Sequence, residues 1–361
     1  MPFDINLLPA NVRPAVQRLQ ETIEFSDNIT KGANGYVLIG RNHLLDRVQV
    51  VKVYYWGRGK HVEPALLAKL ESPNVLKVDG AEKIDEDDAY FITRYCGGGD
   101  LDDQLAKRAF GPLEGIDILL QIASGVSYLH GQGYLHRDLK PSNVFYTDDD
   151  AWVIGDFGSV VTMNDEGFAS TQSKHSIIYR PPEDFDVPAC FYRQGDIYQL
   201  GILLYQILGG RLDYKEDSWL TPRQLKHRAT LADIEAQMFS QSCIESVIRR
   251  GKVLDLDTLP ATVPDHLRRL IRHACRTDYL KRHATTSDFI SKLNNLRKKT
   301  FDWRMVDELY QLDAQRKSFR IVPVDGDWQI EKRVRRGWKI QRGECFDAQS
   351  RAVARVEYLA S

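Results

Sequence analysis

The chain has 361 residues, 43% hydrophobic and 27% charged, with 49 basic against 50 acidic side chains and a formal net charge of −1. That length exceeds one average domain and the composition suits a packed globular protein, while the balance of charge excludes a global pull toward nucleic acid or membrane. Five cysteines, Cys96, Cys190, Cys243, Cys275 and Cys345, show no CxxC spacing, so neither a zinc site nor a secreted disulfide framework is expected.

The opening MPFDINLLPA has no basic region ahead of a long apolar core, so no secretory signal is expected and the chain reads as cytoplasmic. A short helix is predicted over 12–19, with Asn11 as its cap and Pro14 in its first turn, inside a leader of residues 1–21. Strands follow at 24–30, 36–41 and 47–56, the third carrying Lys52 among valines. Glu63, Leu66, Leu67 and Leu70 carry a helical pattern, and further strands are predicted at 76–84 and 89–95. After the glycine-rich break at 96–99 the pattern turns helical, at 100–109, 113–131, 194–208, 264–275 and 285–297. The apolar stretch 197–208 is too short to cross a bilayer. Within the long region 211–259, helices are predicted around 222–239 and 244–250. Strand-like runs at 319–324, 328–334 and 338–342, separated by turn residues, predict a small β-rich appendage over 301–361. No internal repeat or low-complexity segment is evident.

The densest chemistry lies at His136, Arg137, Asp138, Leu139, Lys140, Pro141, Ser142 and Asn143, followed by Asp156, Phe157 and Gly158. A general base, a cation and two oxygen ligands in so short a stretch suit phosphoryl transfer. Between them, apolar runs 144–146 and 151–154 flank the acidic turn 147–150 and predict a hairpin. Such a hairpin brings Asn143 and Asp156 side by side, where their oxygens can share metal ions, with Asp138 upstream on the same loop.

HRDLKPSN and DFG together resemble the eukaryotic-like (Hanks-type) Ser/Thr protein kinases over residues 24–297. The resemblance implies an α+β, bilobal protein kinase fold: a small β-sheet lobe with one main helix, a larger helical lobe, and here the small C-terminal β-rich appendage. It divides the chain into a leader helix (1–21), an N-lobe with hinge (22–97), a C-lobe (98–300) and an accessory β-rich domain (301–361). It implies ATP and Mg²⁺, with Mn²⁺ as the alternative ion, and a role in signalling. Gly32 and Gly35 take the phosphate-loop positions, with Thr30 in place of the first glycine. Lys52 would hold the α and β phosphates with Glu63 as its counter-ion, although Pro64 directly follows Glu63 and fits only the first turn of a helix. Val37, Val50 and Phe145 would sandwich the adenine beside Thr93, while the backbone of Arg94 and Cys96 binds its edge. Asp138 would take the hydroxyl proton, Lys140 neutralise the transferred phosphoryl, and Asn143 and Asp156 hold the metal.

The same resemblance makes 156–183 an activation segment whose phosphate, on Ser170, Thr171 or Ser173, would meet Arg137. Ser176 would contact the catalytic loop, Glu183 would pair with Arg282, and Asp196 would brace the loop backbone. Protein substrates, and a phosphatase or an upstream kinase, are the implied partners. The basic run Lys332, Arg333, Arg335, Arg336 and Lys339 reads as a solvated strand face that docks a protein substrate or the kinase lobes, in preference to nucleic acid. A catalytically silent scaffold with the same fold, or a small-molecule phosphotransferase, are the alternatives.

Overall fold

The computed structural model describes residues 3–32, 35–56, 68–170, 176–314, 317–335 and 337–361. Two compact units emerge: Met1–Gln104 with Gln121–Ser173 and Cys190–Asp196, and Leu105–Leu120 with Lys174–Ala189 and Ile197–Ser361.

The first unit is built on an antiparallel sheet of β1 (Ile23–Gly32), β2 (Gly35–Asn42), β3 (Arg47–Tyr55), β4 (Val78–Lys83) and β5 (Asp88–Arg94), in the order β1-β2-β3-β5-β4. Alternation along the strands separates two faces. Leu38, Val51, Val53 and Tyr90 are buried against Leu8, Val12, Ala15 and Val16, which come from the helix Arg13–Leu19 and its approach. The leader therefore covers the back of the sheet. Asn11 is not its cap: Val12 holds the N-cap position without a side-chain bond. The Asn11 amide instead donates to Asp85 (2.7 Å) and Asp88 (2.8 Å), which tie the leader to the β4–β5 turn. The helical pattern at Glu63, Leu66 and Leu67 lies outside the described residues.

The strand predicted at 76–84 starts later, at Val78, because its first residues pair elsewhere. Leu76 donates its N–H to the Ile154 carbonyl (2.8 Å), and Ile154 donates to that of Asn74 (3.0 Å). Ile154 ends the predicted hairpin, in which Val144–Tyr146 pairs with Trp152–Ile154.

In the second unit, the helices predicted at 222–239 and 244–250 are divided differently. A capping box of Thr221 and Gln224 starts the helix Pro222–Arg228, and a second helix runs unbroken over Asp233–Arg249. No Gly or Pro interrupts 233–249, and its buried Ser240, Cys243, Ile244 and Ile248 keep one helical face throughout. The break falls at 229–232 instead, where Thr230 and Leu231 turn back onto the carbonyls of His227 and Arg228.

The appendage holds more than the three predicted strands. Trp303–Val306, Leu309–Ala314, Lys317–Val324, Asp327–Val334 and Gly337–Phe346 form a five-stranded antiparallel meander. The helix Gln349–Ala360 sets Ala352, Val353 and Val356 against Trp303, Leu312, Phe319, Ile321 and Ile330. The first hairpin turns on Asp307 and Glu308, both at positive φ (49° and 63°), a two-residue turn without the Asn-Gly or Asp-Gly signal. Asp325 and Gly326, at 52° and 89°, make the equivalent turn with that signal.

Candidate active site

The first unit contains a cavity of about 450 Å³, a size that suits a small-molecule ligand. Its upper wall follows from strand register. Val37 stands opposite Lys52, and Ile39 opposite Val50, so these four side chains share the face turned from the leader. Thr93, Arg94 and Cys96 line the edge at the end of β5, with Phe145, Asn143 and Asp156 on the facing side. Gly35 belongs to the lining at φ 135°, where an added Cβ would run into the Val53 carbonyl. Only glycine fits there. Gly32 pairs with Gly35 across the β1–β2 turn. Burial pushes the Cys96 thiol up to about 11, helped by Asp148, so it is protonated at neutral pH.

Lys52 lies among valines and forms an ion pair with Asp156, both side chains being largely buried. Glu63, its expected counter-ion, lies outside the described residues, as do Pro64, Thr171 and Ser173. Burial alone would raise the Asp156 pKa, but Lys52 first, then Lys140 and the Gly158 N–H, hold it net below the usual carboxylate range. Asp156 adopts a left-handed backbone, φ 56°, that aspartate tolerates.

The loop from His136 to Asn143 is held by its own side chains. Asp138 is fully buried, and its Oδ2 accepts from Lys140 Nζ (2.9 Å) and Asn143 Nδ2 (3.0 Å). Asn143 Nδ2 also donates to the Asp138 carbonyl at 2.7 Å. His136 donates from Nε2 to the Gly155 carbonyl (3.0 Å), since a carbonyl can only accept, leaving Nδ1 to accept the Asp138 N–H at 3.4 Å.

Beneath this loop, Asp196 in the first turn of the helix Arg193–Ile207 accepts the N–H of His136 (3.0 Å) and of Arg137 (2.8 Å). His130 Nε2 lies 2.7 Å from the same carboxylate. Full burial would raise the pKa of Asp196, but these donors, His130 foremost, bring it net below the ordinary value. The anchor offsets backbone strain at Arg137, whose φ of 71° costs on the order of 1–2 kcal/mol for a side chain of this kind. The Arg137 guanidinium is buried over the Phe191 ring, with Nη1 donating to the Ser159 carbonyl at 3.4 Å.

Asn143 and Asp156 offer an amide and a carboxylate oxygen to the same cavity, a hard-oxygen set that fits Mg²⁺ or Mn²⁺. Because the Asn143 amide nitrogen is committed to Asp138, its Oδ1 is the atom that could ligate. Among the described residues no group of three or more His, Cys, Asp or Glu side chains gathers into a metal cage. A cation here would complete its sphere with phosphate oxygens and water, as Mg²⁺ commonly does.

Ser170 is exposed at the end of Phe168–Ser170, which pairs with Cys190–Tyr192, and Ser176 is exposed just before the turn Ile177–Tyr179. In the second unit, Arg282 donates from Nη1 and Nη2 to the two carboxylate oxygens of Glu183 (2.6 and 2.7 Å) in a buried bidentate pair. Sequence reasoning overlooked Ile39, although it lies two residues beyond Val37 on the same strand face. It also overlooked His130 and Phe191, the partners of Asp196 and Arg137, for which no local pattern gives a signal.

A family model described as "Protein kinase domain" matches residues 23–293. A probable serine/threonine-protein kinase of Clostridium perfringens is 28% identical over 65% of this chain and 31% of its own length. The 3-phosphoinositide-dependent protein kinase 1 of Arabidopsis thaliana is 30% identical over 56% of this chain and 42% of its own. The serine/threonine-protein kinase Nek3 of Mus musculus is 32% identical over 44% and 31% respectively. The chain thus spans less than half the length of each of these relatives. No described helix is long and apolar enough to cross a membrane.

Proposed function

Because the chain belongs to the protein kinase family, we propose that it transfers the γ-phosphoryl group of ATP to Ser and Thr hydroxyls of protein substrates, and to its own activation segment, in a Mg²⁺-dependent reaction in the cytoplasm. The observation that carries this reading is the convergence of Lys52, Asp156, Asn143 and Lys140 on one cavity, with Lys140 and Asn143 both bonded to Asp138. Val37, Val50 and Phe145 bind the adenine, and the backbone of Arg94 and Cys96 reads its edge. Lys52 neutralises the α and β phosphates, with Glu63 as a further partner.

Asp138 accepts the proton of the attacking hydroxyl. The oxygen bonds to the γ-phosphorus as the bond to ADP breaks, and Lys140 compensates the charge on the moving group. Asn143 and Asp156 would hold Mg²⁺, which supplies charge neutralisation at the phosphates. The bonds of Asp138 to Lys140 and Asn143 are what hold its carboxylate in position before substrate arrives.

The three relatives, each named as a protein kinase, support protein acceptors. Incubating purified protein with Mg·ATP and a generic protein acceptor, then mapping the modified residues by mass spectrometry, tests the reading. Phosphoserine and phosphothreonine on the acceptor, and on Ser170, Thr171 or Ser173, are expected. Phosphate found only on tyrosine, or only on a small-molecule acceptor, would overturn it.

A further inference from the structure

The helices Asp265–Ala274 and Thr286–Arg297 of the second unit border a cavity of about 610 Å³ that shares no lining residue with the nucleotide cavity. His266, Arg269 and His273 reach it from one face of the first helix, His283 from the connection, and Lys292 and Lys299 from the second helix and just beyond it. Leu270 and Leu296 supply its apolar part, and none of its described lining residues is acidic. In a chain whose 49 Lys and Arg are matched by 50 Asp and Glu, three of these cations and three histidines around one space are a segregation of charge. The repulsion among Arg269, Lys292 and Lys299 is relieved when an anion enters.

Hydrogen bonds locate the protons. Thr300 donates its hydroxyl to the Leu296 carbonyl at 2.9 Å, so it accepts from His266 Nε2, also 2.9 Å away. The neutral His266 ring therefore keeps Nδ1 as an acceptor. His273 Nδ1 and His283 Nε2 stand 3.0 Å apart with their rings edge to face, so one proton lies between two ring nitrogens. The surroundings resist a second. Burial first, then Arg276 and Lys292, lower the pKa of His273. Burial, His273 and Lys292 bring His283 down to about 4 against the opposing pull of Asp288. Burial, Arg269 and Lys299 lower His266 against Asp265. Asp288 is itself engaged in the helix cap by Thr285, through its N–H (3.1 Å) and hydroxyl (2.7 Å).

We propose that this cavity is a binding site for a phosphate monoester, with Arg269, Lys292 and Lys299 meeting the dianion and the His273–His283 pair taking up a second proton as it enters. Three fixed cations exceed what one carboxylate needs, while a phosphate dianion has the charge and the oxygens to use them. Leu270 and Leu296 receive the organic part of the ester. Two ring nitrogens near each other also suggest a transition metal, but Arg269, Arg276, Lys292 and Lys299 oppose a second cation there.

Isothermal titration of the full chain with phenyl phosphate, with benzoate as the carboxylate control, tests the site at pH 6.5 in two buffers of different ionisation heat. The expected result is one-to-one binding with proton uptake, and benzoate weaker by roughly tenfold or more. The double variant Arg269→Gln/Lys292→Gln changes two exposed side chains and should weaken phenyl phosphate by a similar factor. His283→Gln should retain binding and lose most of the proton uptake. Absence of binding up to about 10 mM, equal affinity in the double variant, equal affinity for benzoate, or binding of zinc with none of phenyl phosphate would each overturn the proposal.

Discussion

Replacing Asp196 by Asn removes the charge under the catalytic loop while nearly preserving shape. The carboxylate receives three donors, His130 Nε2 at 2.7 Å, the Arg137 N–H at 2.8 Å and the His136 N–H at 3.0 Å. An amide has one acceptor oxygen. Its best orientation keeps that oxygen toward His130 and His136 and turns its NH₂ against the Arg137 N–H, so one bond to a charged acceptor becomes a donor facing a donor. At about 1.5–3 kcal/mol for the lost bond, with weakening of the other two, the sum is about 3–5 kcal/mol. Because Arg137 then loses its anchor at φ 71°, the neighbouring Asp138 should also lose its position and turnover should fall with stability.

The acid limb gives a second signature. The folded pKa of Asp196 lies below the unfolded value of about 3.9. Its contribution is therefore complete above that value and is lost as pH falls through the folded pKa. The gap between wild type and Asp196→Asn should narrow below about pH 4. Urea unfolding followed by tryptophan fluorescence measures it, and a loss under about 1 kcal/mol at pH 7, or a gap unchanged by acid, would refute the reasoning.

Arg282→Met leaves Glu183 charged and buried, so a loss of about 3–5 kcal/mol is expected, with part regained in Glu183→Gln/Arg282→Met; denaturant titration of the single and double variants checks this. Leu8→Ala opens a hole between the leader and the back of the sheet, where Leu8 is 1% exposed, and should cost about 2–5 kcal/mol in the same assay. Lys52→Met leaves Asp156 buried without its nearest cation, so the Asp156 pKa should rise, as a carboxyl ¹³C titration would report.

The sequence is legible where neighbours in the chain are neighbours in space. Strand alternation around Lys52 places Val50 with it and Val51 and Val53 opposite, and the hairpin after Asn143 brings back Asp156, thirteen residues later in the chain. Legibility fails where a partner is distant or a turn lacks its usual residues. Asn11 looks like a cap, yet its partners Asp85 and Asp88 lie 74 and 77 residues away. The strands around Asp307 and Glu308 were hidden because the turn between them has no glycine or asparagine. The final helix is marked only by Ala352, Val353 and Val356, whose apolar stripe becomes meaningful once the meander gives it a surface. The basic cavity joins residues of three segments, none of which stands out alone.

The most direct measurement is the initial rate of phosphate transfer from Mg·ATP to a protein acceptor by wild type and by Asp138→Asn at equal folded concentration. A base held by Lys140 and Asn143 at the reacting hydroxyl predicts a fall of about 10²–10⁴ with the folded fraction unchanged, whereas equal rates would contradict the assignment of Asp138 and the mechanism built on it.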